Sequence, residues 1–214
     1  MTTVLVVGAS KGIGLETVRQ ALEAGHRVRA LARTADGIPV HHPALEKVSG
    51  DALDRSVVAG ALSGVDVVIQ SLGVTAGLDF ILKPVRLFST ATRVLVEAMT
   101  ESGVRRLICV TGFGAGDSRG KGGFIYNTIV FPIVLKRAYD DKDVQERIIR
   151  NSSLDWIIAR PGLLTNGAHT GAYQVLCDPR SWRAGAISRA DVADFLVKQI
   201  DNDRYLHQTP LLIN

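Results

Sequence analysis

Val4-Leu-Val-Val-Gly8-Ala-Ser-Lys-Gly12-Ile-Gly14 stands near the start of the chain, and its reading decides the fold. An apolar run of strand character enters a glycine-rich turn, and an amphipathic helix follows over Ile13–Ala24. Three glycines have separate tasks in such a turn. Gly8 permits the tight bend at the strand end, Gly12 lets a pyrophosphate approach the backbone, and Gly14 lets the helix pack closely on the sheet. The helix N-terminus then offers free N–H groups and the positive end of its dipole to phosphate. A glycine run alone says little. Placed after a strand and before a helix it predicts a dinucleotide site, with contacts from Gly8, Ser10, Lys11, Gly12, Ile13 and Gly14.

Outward from this unit, strand and helix signals alternate to the end of the chain. Strands are expected at about Thr3–Val7, Arg27–Leu31, Leu45–Val48, Asp66–Gln70, Arg106–Val110, Asp155–Ala159 and Pro210–Ile213. Most are continuous Val/Ile/Leu runs, as suits parallel strands buried on both faces. Helices are expected at about Ile13–Ala24, Leu53–Leu62, Val85–Ser102, Val134–Asn151 and Arg189–Ile200. Gly25 and Gly103 fit positions just past helix ends, and Ser188 fits an N-cap. The pattern is α/β: one Rossmann domain over residues 1–214, with a doubly wound, mostly parallel sheet of about seven strands. Two segments break the alternation, 112–135 and 162–186. Both follow the carboxyl ends of strands, where such sheets bind ligands, so both are assigned to the substrate side.

Composition narrows the function. The 214 residues carry 46% hydrophobic and 21% charged side chains, ordinary for a globular domain. A net charge of +4 with no long basic run argues against nucleic acid and for a small-molecule substrate. The stretch Phe124–Leu135 is too short to span a bilayer and contains Asn127 and Pro132, so no membrane role is expected. The N-terminus reads as a strand and not as a signal peptide, which makes the cytoplasm the expected location. Cys109 and Cys177 lie far apart with no His/Cys cluster, so neither a disulfide framework nor a metal site is expected. Nothing in the sequence sets an oligomeric state.

The residues after the second strand bear on the choice of nucleotide. An acidic side chain there would bind a ribose 2′-OH. Arg33 stands in its place, and its planar, permanently charged fork suits a 2′-phosphate. With Lys11 as a possible second cation, NADP(H) is favoured over NAD(H). Asp51, followed by Ala52, either accepts from the adenine amino group or caps the next helix. Ser71, Leu72 and Gly73 follow the fourth strand and would pass beside the adenosine ribose. The run Gly116-Asp-Ser-Arg-Gly120-Lys121-Gly122 has the wrong spacing for a phosphate loop and reads as a mobile substrate-side loop.

Together, Gly8-x-x-x-Gly12-x-Gly14, Arg33, Gly50-Asp51, Val110-Thr111-Gly112 and Arg160-Pro161-Gly162 resemble the short-chain dehydrogenase/reductase superfamily. The runs Ala138-x-x-x-Lys142-x-x-x-Glu146, Thr170-Gly171-Ala172-Tyr173 and Ile187-Ser188-Arg189-Ala190-Asp191-Val192-Ala193 are similar to its atypical NAD(P)H-binding branch. That branch includes biliverdin reductase B, also a flavin reductase, and nitrogen-metabolite-repression-type regulators. The resemblance implies cofactor contacts from Thr111, Lys142, Pro161 and Gly162. It also implies a Tyr-x-x-x-Lys pair, but the tyrosine position holds Ala138. Tyr139 lies one residue on and shares a helical face with Lys142 and Glu146. Thr111, Tyr139 and Lys142 are therefore the catalytic candidates. A pocket serine and a pocket histidine of biliverdin reductase B fall at Gly112 and Leu163.

The expected activity is an NADP(H)-dependent oxidoreductase passing hydride to a small, aromatic acceptor of flavin or quinone type, which solvent can protonate without a dedicated side chain. Phe113, Phe124, Tyr126, Phe131 and Tyr173 offer apolar surface for it, unless they are core or a subunit interface. The alternative is a non-catalytic NADP(H)-binding sensor. A sugar-nucleotide epimerase or dehydratase is disfavoured, because that chemistry needs the acid–base tyrosine.

Overall fold

The computed structural model describes residues 1–73, 86–119 and 136–214. Its main sheet is built from β1 (Thr3–Val7), β2 (Arg27–Ala32), β3 (Leu45–Ser49), β4 (Val67–Gln70), β5 (Arg106–Val110), β6 (Asp155–Pro161), β8 (Gln174–Leu176) and β10 (Leu211–Ile213). The order across the sheet is β3-β2-β1-β4-β5-β6-β10-β8, and every neighbouring pair is parallel except β10 with β8. The chain starts in the middle, winds out to β3, then crosses back past β1 to β4. That reversal opens a crevice above the carboxyl ends of β1 and β4.

Among the described residues, five helices cover the two faces: α1 (Gly12–Glu23), α2 (Arg55–Ala61), α3 (Leu87–Ser102), α4 (Lys136–Arg150) and α5 (Arg189–Lys198). Alternation within β1 shows how the layers form. Val4 and Val6 pack with Val18 and Leu22 of α1 and with Val192, Phe195 and Leu196 of α5. Leu5 and Val7 point the other way, into a core with Val58 of α2, Leu95 and Met99 of α3 and Ile149 of α4. Strands buried on both sides need no polar face, which explains their unbroken apolar runs. Gly25 and Gly103 take left-handed φ values of 83° and 76° just past α1 and α3.

Among the described residues the sheet has eight strands, in line with the expected sheet of about seven, and the segment 162–186 contributes structure too short to carry a period. Within it β8 pairs antiparallel with β10, while β7 (Leu163–Thr165) pairs with β9 (Ala186–Ser188) as a separate two-stranded ribbon. The second helix starts at Arg55 and not at Leu53, because Asp54 caps it by accepting from the amides of Ser56 and Val57. The starts of the third and fourth expected helices, at Val85 and at Val134, lie outside the described residues. So do the membrane-like stretch Phe124–Leu135 and the segment 120–135 of the substrate side.

Candidate cofactor and active site

A cavity of about 690 Å³ runs along the carboxyl edge of the sheet. It falls within the roughly 300–1,000 Å³ of small-molecule sites. Gly8, Ser10, Lys11, Gly12 and Ile13 line it from the β1–α1 turn. Leu31, Ala32 and Arg33 line it from the end of β2, Gly50, Asp51, Ala52 and Leu53 from beyond β3, and Ser71, Leu72 and Gly73 from the end of β4. Leu87, Phe88, Val110, Thr111, Ala138, Tyr139 and Lys142 form the other half, with Pro161, Leu164, Asn166 and Arg189. The structure thus brings together every expected site residue except Gly14 and Gly162.

Those two glycines serve packing. A Cβ on Gly14 would lie 2.1 Å from the Gly8 carbonyl oxygen, so α1 sits as close to β1 as the motif requires. A Cβ on Gly162 would lie 2.3 Å from the Gly185 carbonyl oxygen, which places this glycine against the β7–β9 ribbon and not against the cavity. Gly12 differs from both. Its φ is 59°, and the nearest atoms to a Cβ there belong to the Arg189 side chain at 3.8 Å. Internal packing leaves space over Gly12, as close approach of a ligand to the backbone demands.

Three features fit a dinucleotide. The N-cap residue Lys11 makes no side-chain capping hydrogen bond, the first turn of α1 holds no acidic residue, and the helix start lines the cavity with its positive end. The buried Ser71 Oγ has no hydrogen-bond partner among the described residues and lies on the cavity wall. Arg33 is exposed at the far end, after β2, where an adenosine ribose would lie. Asp51 accepts from the Leu53 amide at 3.0 Å. Because Asp54 performs the helix capping, Asp51 is left to its place on the cavity wall.

The opposite end holds the catalytic candidates named from sequence. Lys142 Nζ donates to the Thr111 carbonyl oxygen at 2.6 Å and stands 4.5 Å from the centre of the Phe88 ring. Burial lowers its pKa to about 8, against the opposing pull of Cys109, Glu146 and Asp141. Ala138 is buried at the position where a tyrosine would stand. Tyr139 lines the same cavity as Lys142, and a Cβ on Gly112 would meet the Tyr139 hydroxyl at 2.7 Å. The glycine after Thr111 is what admits this displaced phenol.

Beneath Lys142 lies a buried ionic cluster. Glu146 does not pair with Lys142. Its carboxylate accepts from Thr111 Oγ1 at 2.8 Å, Arg160 Nε at 3.0 Å and Arg160 Nη2 at 2.6 Å. Arg160 is wholly buried, reaches Asp117 at 2.6 Å and stacks over Trp182. Arg160 and Arg150 hold the Asp117 carboxyl below the usual carboxylate range, although burial alone would raise it. Thr111 therefore donates a hydrogen bond from its hydroxyl to Glu146 and accepts one at its carbonyl oxygen from Lys142.

Of the aromatic surface expected for an acceptor, the two described members, Phe113 and Tyr173, lie away from the cavity lining. Phe113 is core, packed with Trp182, Leu211 and Ile213. Tyr173 donates to Asp194 at 2.7 Å and packs edge-on against Phe195. Phe124, Tyr126 and Phe131 lie outside the described residues. His169 pairs with Asp194 at 3.2 Å, away from the cavity lining. Sequence reasoning missed Phe88, Asn166 and Arg189. Phe88 reads only as part of an apolar helix stripe. Arg189 carried one signal, a cation at the first position of a helix, where the dipole disfavours it.

A family model described as NAD(P)H-binding matches residues 8–203. The UPF0659 protein YMR090W of Saccharomyces cerevisiae is 29% identical over 92% of this chain and 86% of its own length. A 3-beta-hydroxysteroid dehydrogenase of Mycolicibacterium neoaurum is 31% identical over 49% of this chain, which spans only 30% of that relative. Among solved structures, ChuY, an anaerobilin reductase from Escherichia coli O157:H7, aligns with a TM-score of 0.81 at 29% identity, covering 99% of this chain and 97% of that one. Among the described residues, no helix is long and apolar enough to cross a membrane.

Proposed function

The chain belongs to the NAD(P)H-binding family of oxidoreductase fold, and from that premise we propose that it is an NADP(H)-preferring reductase of a small conjugated acceptor. One observation carries the reading. A single cavity joins the glycine turn and Arg33 at one end to Lys142, Tyr139 and Thr111 at the other, while Ala138 stands where an acid–base tyrosine would be. Gly8, Gly12, Ile13 and the α1 N-terminus would hold the diphosphate, Arg33 the 2′-phosphate, and Ser71 to Gly73 the adenosine ribose. Lys142 would hold the nicotinamide ribose. Pro161, Leu164 and Phe88 would give that end its apolar wall. The bound nicotinamide supplies the hydride.

Without a tyrosine at position 138, the acceptor must tolerate protonation by solvent. Flavins and quinones do so, and the likeness to ChuY adds anaerobilin to the class. The test has two steps. Titration measures NADPH and NADH affinity, and a turnover screen follows NADPH oxidation with flavins, quinones, anaerobilin and aldehydes. Turnover with a conjugated acceptor but not with simple aldehydes is the expected result. Tight NADPH binding with no turnover on any of them would favour the sensor, to which the buried Ala138 is equally suited.

A further inference from the structure

Sequence points to Arg33, Lys11 and Lys142 as cations of the site, but the cavity contains a further arginine at a different place. Arg189 is the first residue of α5, next to the N-cap Ser188, and its side chain lies over Gly12. The helices α1 and α5 lie on the same face of the sheet, and Gln20 of α1 donates to the Ala190 carbonyl at 2.9 Å. Arg189 Cδ and Nε lie 3.8 Å from the point where a Gly12 Cβ would stand. Whatever is drawn close to the Gly12 backbone therefore also meets this guanidinium.

The side chain is aimed but only partly engaged. Nη1 donates to Asn166 Oδ1 at 2.7 Å, and Nε and Nη2 make no hydrogen bond among the described residues. A cation at a helix N-terminus is placed against the dipole. Asp191, the acid of that first turn, has its carboxylate occupied by Thr170, Gly171 and Ser188. An anion between the starts of α1 and α5 would satisfy the guanidinium and both helix ends at once.

Building on the nucleotide reading above, we propose that Arg189 clamps the cofactor diphosphate from the side opposite the glycine turn, with Asn166 fixing one edge of its guanidinium. The two arginines then divide the cofactor. Arg33 reads the adenosine 2′-phosphate and sets preference. Arg189 reads the diphosphate that NADPH and NADH share and sets affinity.

Calorimetric titration of the full chain with four probes tests this: NADPH, NADH, ADP-ribose, which keeps the diphosphate, and adenosine 2′-monophosphate, which lacks it. Arg189→Ala should weaken NADPH, NADH and ADP-ribose alike, by roughly tenfold or more for a lost charge-assisted contact. Binding of adenosine 2′-monophosphate should stay within about twofold, well under that loss. Arg189→Lys, which keeps charge without the planar fork, should recover part of the affinity. Arg33→Ala should show the reverse profile, weakening NADPH and adenosine 2′-monophosphate only. ADP-ribose affinity unchanged in Arg189→Ala overturns the clamp and leaves the cofactor reading standing. Equal loss for all four probes overturns it too, as a general structural effect. If the unmutated protein binds none of the four, both readings fall.

Discussion

Truncating Glu146 to alanine should reveal how the Lys142 end of the cavity, proposed above as the catalytic one, is held. The Glu146 carboxylate is 2% exposed and accepts three hydrogen bonds, two of them from Arg160, which is 0% exposed. Removing it leaves a guanidinium in the core with Asp117 as its remaining ionic partner and with Nη1 already unpartnered. Breaking a buried pair by deleting one member costs about 3–5 kcal/mol. Asp117 stays in place at 2.6 Å, so the low end applies, about 3 kcal/mol. For a chain of this length each kcal/mol lowers the melting temperature by roughly 2–4 °C, so a fall of about 6–12 °C is expected.

Thermal unfolding of Glu146→Ala, Arg160→Met and the double variant Glu146→Leu/Arg160→Met measures it. Each single change should cost more than the double one, because an apolar pair of similar volume replaces a buried ion pair with little loss. Glu146→Gln, which keeps the volume and an acceptor, should fall between wild type and alanine. A drop of under about 2 °C for Glu146→Ala would refute the reasoning, since it would mean that Arg160 is solvated or repaired at no cost.

The remaining predictions concern the cofactor and the chemistry. Arg33→Ala should remove most of the preference for NADPH over NADH, a loss of about 1.5–3 kcal/mol in NADPH affinity; equal affinities in the unmutated protein would sink the assignment. Gly12→Val should abolish nucleotide binding, measured by titration, while the domain stays folded. Its Cβ has 3.8 Å of clearance, and only the left-handed φ of 59° is strained, at about 1–2 kcal/mol. Tyr139→Phe should barely change turnover, whereas a general acid contributes about 10²–10⁴-fold, so a hundredfold fall would restore a displaced Tyr–Lys pair. Lys142→Ala should weaken NADPH binding. The Lys142 ammonium is held at about 8 by burial, so it is charged below that pH and neutral above. NADPH affinity should therefore fall as pH rises through this range and beyond, because the bound anion pulls the midpoint upward. The fall should be absent in Lys142→Ala.

What sequence could and could not show follows from the range of each signal. The β1–α1 unit is local: the strand, the turn and the helix start lie within one stretch, and Gly8, Gly12 and Gly14 can be read one by one. The buried parallel strands are nearly as legible, since burial on both faces leaves an apolar run. The segment 162–186 is different. Its strands are three residues each and exist only because β10 and β9 arrive later to pair with them. Tyr173 looked like an acceptor surface, and only the return of α5 explains it, by supplying Asp194 and Phe195.

The same distinction separates the two arginines. Arg33 is found by its offset from β2, because the crossover places whatever follows that strand on the cavity edge, at the end proposed for the adenosine. Arg189 stands 177 positions from Gly12, and no spacing rule connects them. They meet because α1 and α5 pack side by side with both N-termini at the carboxyl edge of the sheet, as right-handed crossovers on one face require. A doubly wound sheet therefore gathers helix starts at its crevice whatever their sequence distance. A cation placed against the dipole at one of those starts is the residue-level mark of an anion site that the glycine turn alone does not complete.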